Sequence, residues 1–67
     1  MDVVKLAQMM YKEIESEIVA IERSLAGGSA KDFAEYKHLV GIVLGYRRTR
    51  EILRELMSSE EDEEDNK

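Results

Sequence analysis

The side chains best suited to chemistry in this sequence are a single histidine and the glutamates around it. His38 is the only histidine and there is no cysteine, which excludes a closed zinc site built from His and Cys ligands. Glu35 precedes His38 by three residues, which is one copy of the Glu-x-x-His pattern that di-metal helical bundles use in pairs. Two chains would supply two copies, but the apolar seam described below points both side chains toward solvent. We therefore predict a solvated face, with no metal and no cofactor.

A second group with chemical potential is a cluster of four arginines, Arg47, Arg48, Arg50 and Arg54. Arginines along one helix can bind the phosphates of a nucleic acid. Alternatively they pair with acids such as Glu51, four residues after Arg47. Six acids follow the cluster within residues 60–65 and would compete with a phosphate backbone. We predict that nucleic acid is not the partner, and the sequence leaves open whether the patch binds phosphate or only pairs with acids.

The size of the chain bounds its function. A chain of 67 residues and 7.7 kDa buries only about 60% of the surface that it exposes when unfolded. No Ser/His/Asp arrangement, phosphate loop or dinucleotide fingerprint is present, so we expect no enclosed active site and no enzyme. No apolar run approaches the ~20 residues of a membrane span. The start of the chain at Asp2 lacks a signal-peptide pattern, which predicts a cytoplasmic location.

The charge of the chain is concentrated at its end. The formal net charge is −5, yet residues 1–57 contain nine acids and nine bases. The imbalance comes from residues 58–67, which contain six acids and one base. Such a run has no apolar surface to offset its ordering entropy, so it predicts a disordered acidic tail. The tail would keep the chain soluble, or it would dock on a basic surface.

Two helices are predicted on either side of one break, Gly27-Gly28-Ser29. The first is expected over about residues 2–26, with Asp2 as its N-cap and the glycines supplying the positive φ that ends it. Its apolar stripe repeats every eleven residues, which predicts a straight or slightly right-handed helix. The members of that stripe are Val3, Ala7, Met10, Ile14, Ile18, Ile21 and Leu25.

The second helix is expected over about residues 30–57, with the Ser29 hydroxyl as its cap, accepting from the Asp32 amide. Its stripe has the 3-4 spacing of a coiled coil and consists of Tyr36, Leu39, Val43, Tyr46, Arg50, Leu53 and Met57. Arg50 lies on this seam, where it would be partly buried beside an acid or set the register of an oligomer. Because the loop is short, residues 1–57 are predicted to form an all-α antiparallel two-helix hairpin.

The hairpin is expected to need a partner. Residues 39–46 are apolar around the full helix circumference, and a second helix covers only one side of them. Two glycines one turn apart, Gly41 and Gly45, would let another helix approach closely. The sequence therefore predicts a helical bundle with a second copy, or docking on a larger assembly. The predicted contact residues are Tyr36, Val40, Gly41, Val43, Leu44 and Gly45.

The second helix also resembles a group of known proteins. The stretch of residues 31–53 resembles small helical-hairpin proteins encoded by tailed bacteriophages, which carry Asp-Phe/Tyr-x-x-Tyr and then Val-Gly-x-x-x-Gly after a Gly-containing turn. The matching positions are Asp32, Phe33, Tyr36, Val40, Gly41 and Gly45. The resemblance covers about residues 25–56. It implies a phage setting, a role near the head and portal, and a location in the virion, but no chemistry.

These observations favour a non-enzymatic structural or accessory interaction protein, in a phage head–neck or portal region. The alternative is a small regulatory protein or inhibitor whose acidic tail mimics nucleic acid in a basic site on a host protein. The sequence leaves open the identity of the partner, the number of copies, the orientation of the hairpins and whether the tail is functional.

Overall fold

The computed structural model describes residues 2–65, with the side chains of residues 2–59. It contains two helices, α1 at Val3–Ala26 and α2 at Phe33–Asp65. They fold back on each other into an elongated hairpin of 54 × 18 × 15 Å. The predicted all-helical hairpin is therefore confirmed. Between residues 2 and 65, neither helix has a stretch that is both long and apolar enough to cross a bilayer.

Helix α1 begins and ends where the sequence predicted. The Asp2 carboxylate accepts a hydrogen bond of 2.7 Å from the Lys5 amide, so Asp2 is the expected N-cap. At the other end Gly28 has a φ of +78°. The Gly28 amide donates to the Leu25 carbonyl and the Ser29 amide to the Ser24 carbonyl, each at 3.1 Å, which is a Schellman motif. Only Gly28 uses positive φ, since Gly27 stays right-handed at −79°.

Helix α2 begins three residues later than predicted, at Phe33, and its cap is not Ser29. The Asp32 carboxylate accepts from the Glu35 amide at 2.8 Å, while the Glu35 carboxylate accepts from the Lys31 amide at 3.2 Å. Ser29 instead closes α1, because its hydroxyl donates to the Ser24 carbonyl at 2.8 Å. Asp32 and Glu35 have the acid-x-x-Glu spacing of a capping box. Because the two side chains cap the helix together, Asp32 is a better N-cap for α2 than Ser29.

Helix α2 also ends later than predicted. The sequence placed its end at about Met57, but the helix continues through Asp65. No Gly or Pro lies between these positions to stop it. Met57 already lies beside Val3, near the start of α1, so the segment beyond it has no opposing helix to pack on. The sequence predicted a disordered tail over residues 58–67, whereas the backbone of residues 58–65 continues α2. Residues 66–67 lie outside the described part.

The contact between the helices is a narrow seam. Its centre is Ile18 and Val43, the two buried side chains among those described, at 3% and 5% exposure. Half-buried residues extend the seam at 3-4 spacing along both helices. They are Val4, Ala7, Tyr11, Ile14, Ile21 and Leu25 of α1, and Leu39, Tyr46, Arg50, Leu53 and Met57 of α2.

This seam corrects the stripe predicted for α1. Val3 and Met10 are exposed, and the seam uses Val4 and Tyr11 in their place. The eleven-residue repeat was therefore wrong, and α1 follows the same seven-residue repeat as α2. Two helices stay in contact along their length only when their apolar periods match, and α2 allows only the seven-residue period.

Candidate interaction surface

Many large apolar side chains of the hairpin are exposed. Against the two that are buried, eleven are exposed, and they are Val3, Leu6, Met9, Met10, Val19, Phe33, Tyr36, Ile42, Leu44, Ile52 and Leu56. Single exposed apolar residues are ordinary in small proteins. A set of this size is not, because it leaves a large apolar surface of the hairpin in water.

The area of the chain shows how open the hairpin is. Its accessible surface is 5442 Å², whereas a compact chain of the same mass would expose about 4,300 Å². Its radius of gyration is 15.6 Å, against about 11 Å for a compact chain of this length. Part of the difference comes from the end of α2 beyond Met57. The rest is the outer surface of the two helices.

One flank of the seam carries ion pairs. Arg47 bonds Glu22 across the hairpin, and Glu15 lies 3.9 Å from the guanidinium of Arg50. Glu15 and Glu22 are seven residues apart, as are Arg47 and Arg54, so each pair of residues lies on one side of its helix. We call Glu15, Glu22, Arg47 and Arg54 the ion-paired face. The side chains of these ion pairs are between 33% and 63% exposed, so each bridge adds little stability.

The arginine cluster is therefore engaged mainly with acids. Arg47 binds Glu22 and not Glu51, which corrects the predicted pairing, and Glu51 instead accepts a 3.1 Å bond from Arg54. That bond, together with the charge of Glu51, raises the pKa of Arg54 above its usual value. Arg50 has a side chain only 33% exposed, so the prediction that it would be partly buried beside an acid is confirmed. Arg48 has no acid within 4 Å among the described side chains.

The opposite flank of the seam is apolar over much of its length, up to Glu17 and Glu35, which lie seven residues after Met10 and seven before Ile42. Val3 and Met10 are seven residues apart, and so are Ile42 and Thr49, and Thr49 and Leu56. In an antiparallel pair, like flanks of the two helices meet, and Val3 and Leu56 do line one shallow groove of about 360 Å³. The remaining residues of this flank lie one turn from these. We call the whole set the apolar face, made of Val3, Leu6, Met10, Ile42, Ile52 and Leu56.

Thr49 fits the apolar face although it carries a hydroxyl. The hydroxyl donates to the Gly45 carbonyl at 2.9 Å, one turn back along the helix. The polar group is therefore satisfied inside α2, and the methyl group is left to face outward. Gly45 lies beside it on the same flank, so the middle of the apolar face is smooth as well as uncharged.

The structure does not bring the six predicted contact residues together. Val43 is buried against α1 and cannot reach a partner, while Val40 is half-buried. The others are exposed in different directions, because consecutive residues of a helix are turned by about 100° from one another. A Cβ added to Gly41 or Gly45 would meet nothing within 4 Å, so the hairpin itself makes no use of their small size. Contact between the outward residues and a partner stays a prediction.

A metal site has no support in the described side chains, where no three acidic, His or Cys groups come close enough to hold an ion. The Glu35 carboxylate is occupied at the start of α2, where it accepts from the Lys31 amide. His38 is exposed.

Comparison with known proteins adds no relative. No protein-family model matches the chain, and neither curated proteins nor solved structures give a significant match.

Proposed function

We propose that this protein is a non-enzymatic interaction protein that completes its core by packing its helices against another protein. The observation that carries the proposal is the imbalance between the two buried side chains and the eleven large apolar ones that are exposed. Covering an apolar side chain of this size stabilises an assembly by about 1.5–3 kcal/mol. The eleven exposed side chains contribute little of that stabilisation to the hairpin alone.

The two flanks differ in what they contribute. The ion-paired face is already satisfied within the chain and is stable in water. The apolar face has no polar side-chain partner to lose, and its removal from water is favourable. Packing on the apolar face therefore supplies the driving force, while the ion-paired face keeps the assembled protein soluble.

The setting that we propose is a structural or accessory role in a phage virion, in the head–neck or portal region. The support for it is the resemblance of residues 25–56 to phage helical hairpins. The structure gives one matching position a physical reason, since Asp32 caps α2 after the turn. Mass spectrometry of purified virions would test this setting. If the chain is absent from intact particles, the proposed virion setting is wrong. The proposal that the protein acts by helix packing would not be affected.

The general proposal is tested by unfolding the full chain in urea at several protein concentrations. An interaction protein that associates with itself should unfold at higher urea as its concentration rises. One that needs a different protein should be only weakly folded alone. The proposal fails if the chain is a monomer whose unfolding is cooperative, independent of concentration and worth several kcal/mol, because such a hairpin would need no partner.

The second candidate function is a regulatory binder with a nucleic-acid-like tail. It is favoured by the continuation of α2 beyond Met57, where the sequence has six acids on a backbone without an opposing helix. Such a rod of negative charge could occupy a basic groove on a host protein. Deleting residues 58–67 should then abolish host binding that is already weakened by salt. Under the structural proposal the same deletion leaves assembly intact.

A further inference from the structure

We infer that the partner covering the apolar face is a second copy of this chain, so that two hairpins form a four-helix bundle. This inference depends on the proposed function and gives it a specific partner and surface. The new contact would be made by Leu6 and Met10 of α1 with Ile42, Ile52 and Leu56 of α2. The seam through Ile18 and Val43 would remain inside each hairpin.

The spacing of residues along α2 indicates a second neighbouring helix. Beside the seam, a second ladder runs through Ile42, Gly45, Thr49, Ile52 and Leu56 with the spacing 3-4-3-4. A helix that packs on one neighbour needs a single ladder of this kind, and a helix inside a bundle needs one for each neighbour. The seam ladder of α2 is used by α1, and the second ladder has no partner within the hairpin.

The charge of the apolar face suits a contact with its own copy. A two-fold dimer places the same surface on both sides of its contact, so any charge within that surface meets its own sign. The six residues of the apolar face are all uncharged, and the hydroxyl of Thr49 beside them is bonded within its own helix. Two acids lie at the edge of the face, Glu13 beside Leu6 and Met10 and Glu17 seven residues after Met10. The interior of the face can therefore meet its own copy without repulsion, and it offers no charge by which a different protein would be selected.

The exposed area of the chain leaves room for such a contact. The chain exposes about 1,100 Å² more than a compact protein of its mass. A stable interface buries about 800 Å² on each partner. Part of the excess belongs to the end of α2 beyond Met57, and the outer surface of the two helices supplies the rest.

The experiment compares two exposed leucines of α2 on opposite sides of the helix. Leu56 is on the apolar face at 63% exposure, and Leu44 lies on the other side at 55%. Both are replaced by glutamine in the full chain, and dimerisation is measured by sedimentation equilibrium. Leu56→Gln should weaken the dimer by about tenfold or more, while Leu44→Gln should change it by less than about twofold. Met10→Gln, on α1, should behave like Leu56→Gln.

The outcomes separate this inference from the proposed function. A dimer that Leu44→Gln weakens and Leu56→Gln does not would overturn the inference, because the copies would then meet through another surface. A chain that stays monomeric at all concentrations would also overturn it. If that monomer unfolds at a low urea concentration, the proposed function still holds, with a different protein as the partner. Circular dichroism of each variant at high concentration shows that its helices are retained.

Discussion

At the scale of single residues, the stability of the hairpin depends on a pair of side chains at mid-length. Ile18 and Val43 are the only buried apolar side chains that the described residues contain. Every other apolar side chain of the seam retains contact with water on at least one side. Substitutions at this pair should therefore have effects out of proportion to the size of the change.

Ile18→Ala should destabilise the hairpin by about 2–5 kcal/mol, because it removes the transfer free energy of the side chain and leaves a cavity. That is enough to unfold a domain of this size. The matched control is the next residue, Val19→Ala, where the side chain is 44% exposed and the expected loss is under about 1 kcal/mol. Urea unfolding followed by circular dichroism gives both values. Similar losses at the two positions would show that the seam is not centred on Ile18.

Glycine substitutions should have opposite signs at two positions. Gly28 has a φ of +78°, so Gly28→Ala forces an unfavourable left-handed conformation and should destabilise by about 1 kcal/mol. Gly41 is inside α2 with nothing near its added Cβ, so Gly41→Ala should stabilise by about 1 kcal/mol. Thermal unfolding at one protein concentration compares them. A loss of stability at Gly41 would instead indicate that a partner approaches closely there, as the sequence predicted.

At the scale of elements, the start of α2 shows what sequence reasoning could reach and what it could not. A helix after the Gly-Gly break was predictable from the period of its apolar residues. The identity of its cap was not, because Ser29 and Asp32 are both good capping residues. The choice between them depends on the Schellman closure of α1, which takes Ser29. That competition is visible only when both helix ends are present in three dimensions.

Asp32→Ala should lower the stability of the hairpin by about 1 kcal/mol, because the Glu35 amide loses its acceptor. Asp32→Asn should retain most of the stability, since the asparagine oxygen can accept the same bond. Urea unfolding of the two variants measures the difference. If Asn is as damaging as Ala, the carboxylate acts through its charge at the helix N-terminus and not through the cap.

The candidate surface was only partly predictable for a related reason. The prediction that residues 39–46 need cover beyond one helix followed from composition. Composition did not show which side of α2 a partner would contact. The prediction grouped residues that are neighbours in sequence but point in different directions around the helix. The ladder from Ile42 to Leu56 was present in the sequence at regular spacing. Its meaning depended on knowing that α1 occupies the other ladder, through Val43.

At the scale of the whole molecule, charge and packing are divided between two parts of the chain. The residues up to Met57 form the paired helices and are neutral overall, while residues 58–67 hold the entire net charge. Two copies of the chain would therefore repel each other through their ends while attracting through the apolar face.

Removal of residues 58–67 should leave the helical hairpin folded and make self-association tighter at low salt. The reason is that the net charge falls from −5 to zero, which removes the repulsion between copies. The difference between the full and shortened chains should shrink as salt screens that repulsion. Light scattering across a dilution series at two salt concentrations measures it. Weaker association of the shortened chain would mean that the acidic segment takes part in the contact.

The position of the turn also sets the order in which the hairpin can assemble. The Schellman turn at Gly28 joins residues that are near neighbours in sequence. Contacts between the helices should therefore form first at that end, where closing the loop costs little entropy. The open end, where Val3 meets Leu56 and Met57, closes last and frays first. Since that end also carries much of the apolar face, a second copy would bind where the two helices are not yet fully paired. Closing the hairpin and pairing the copies would then be one kinetic step.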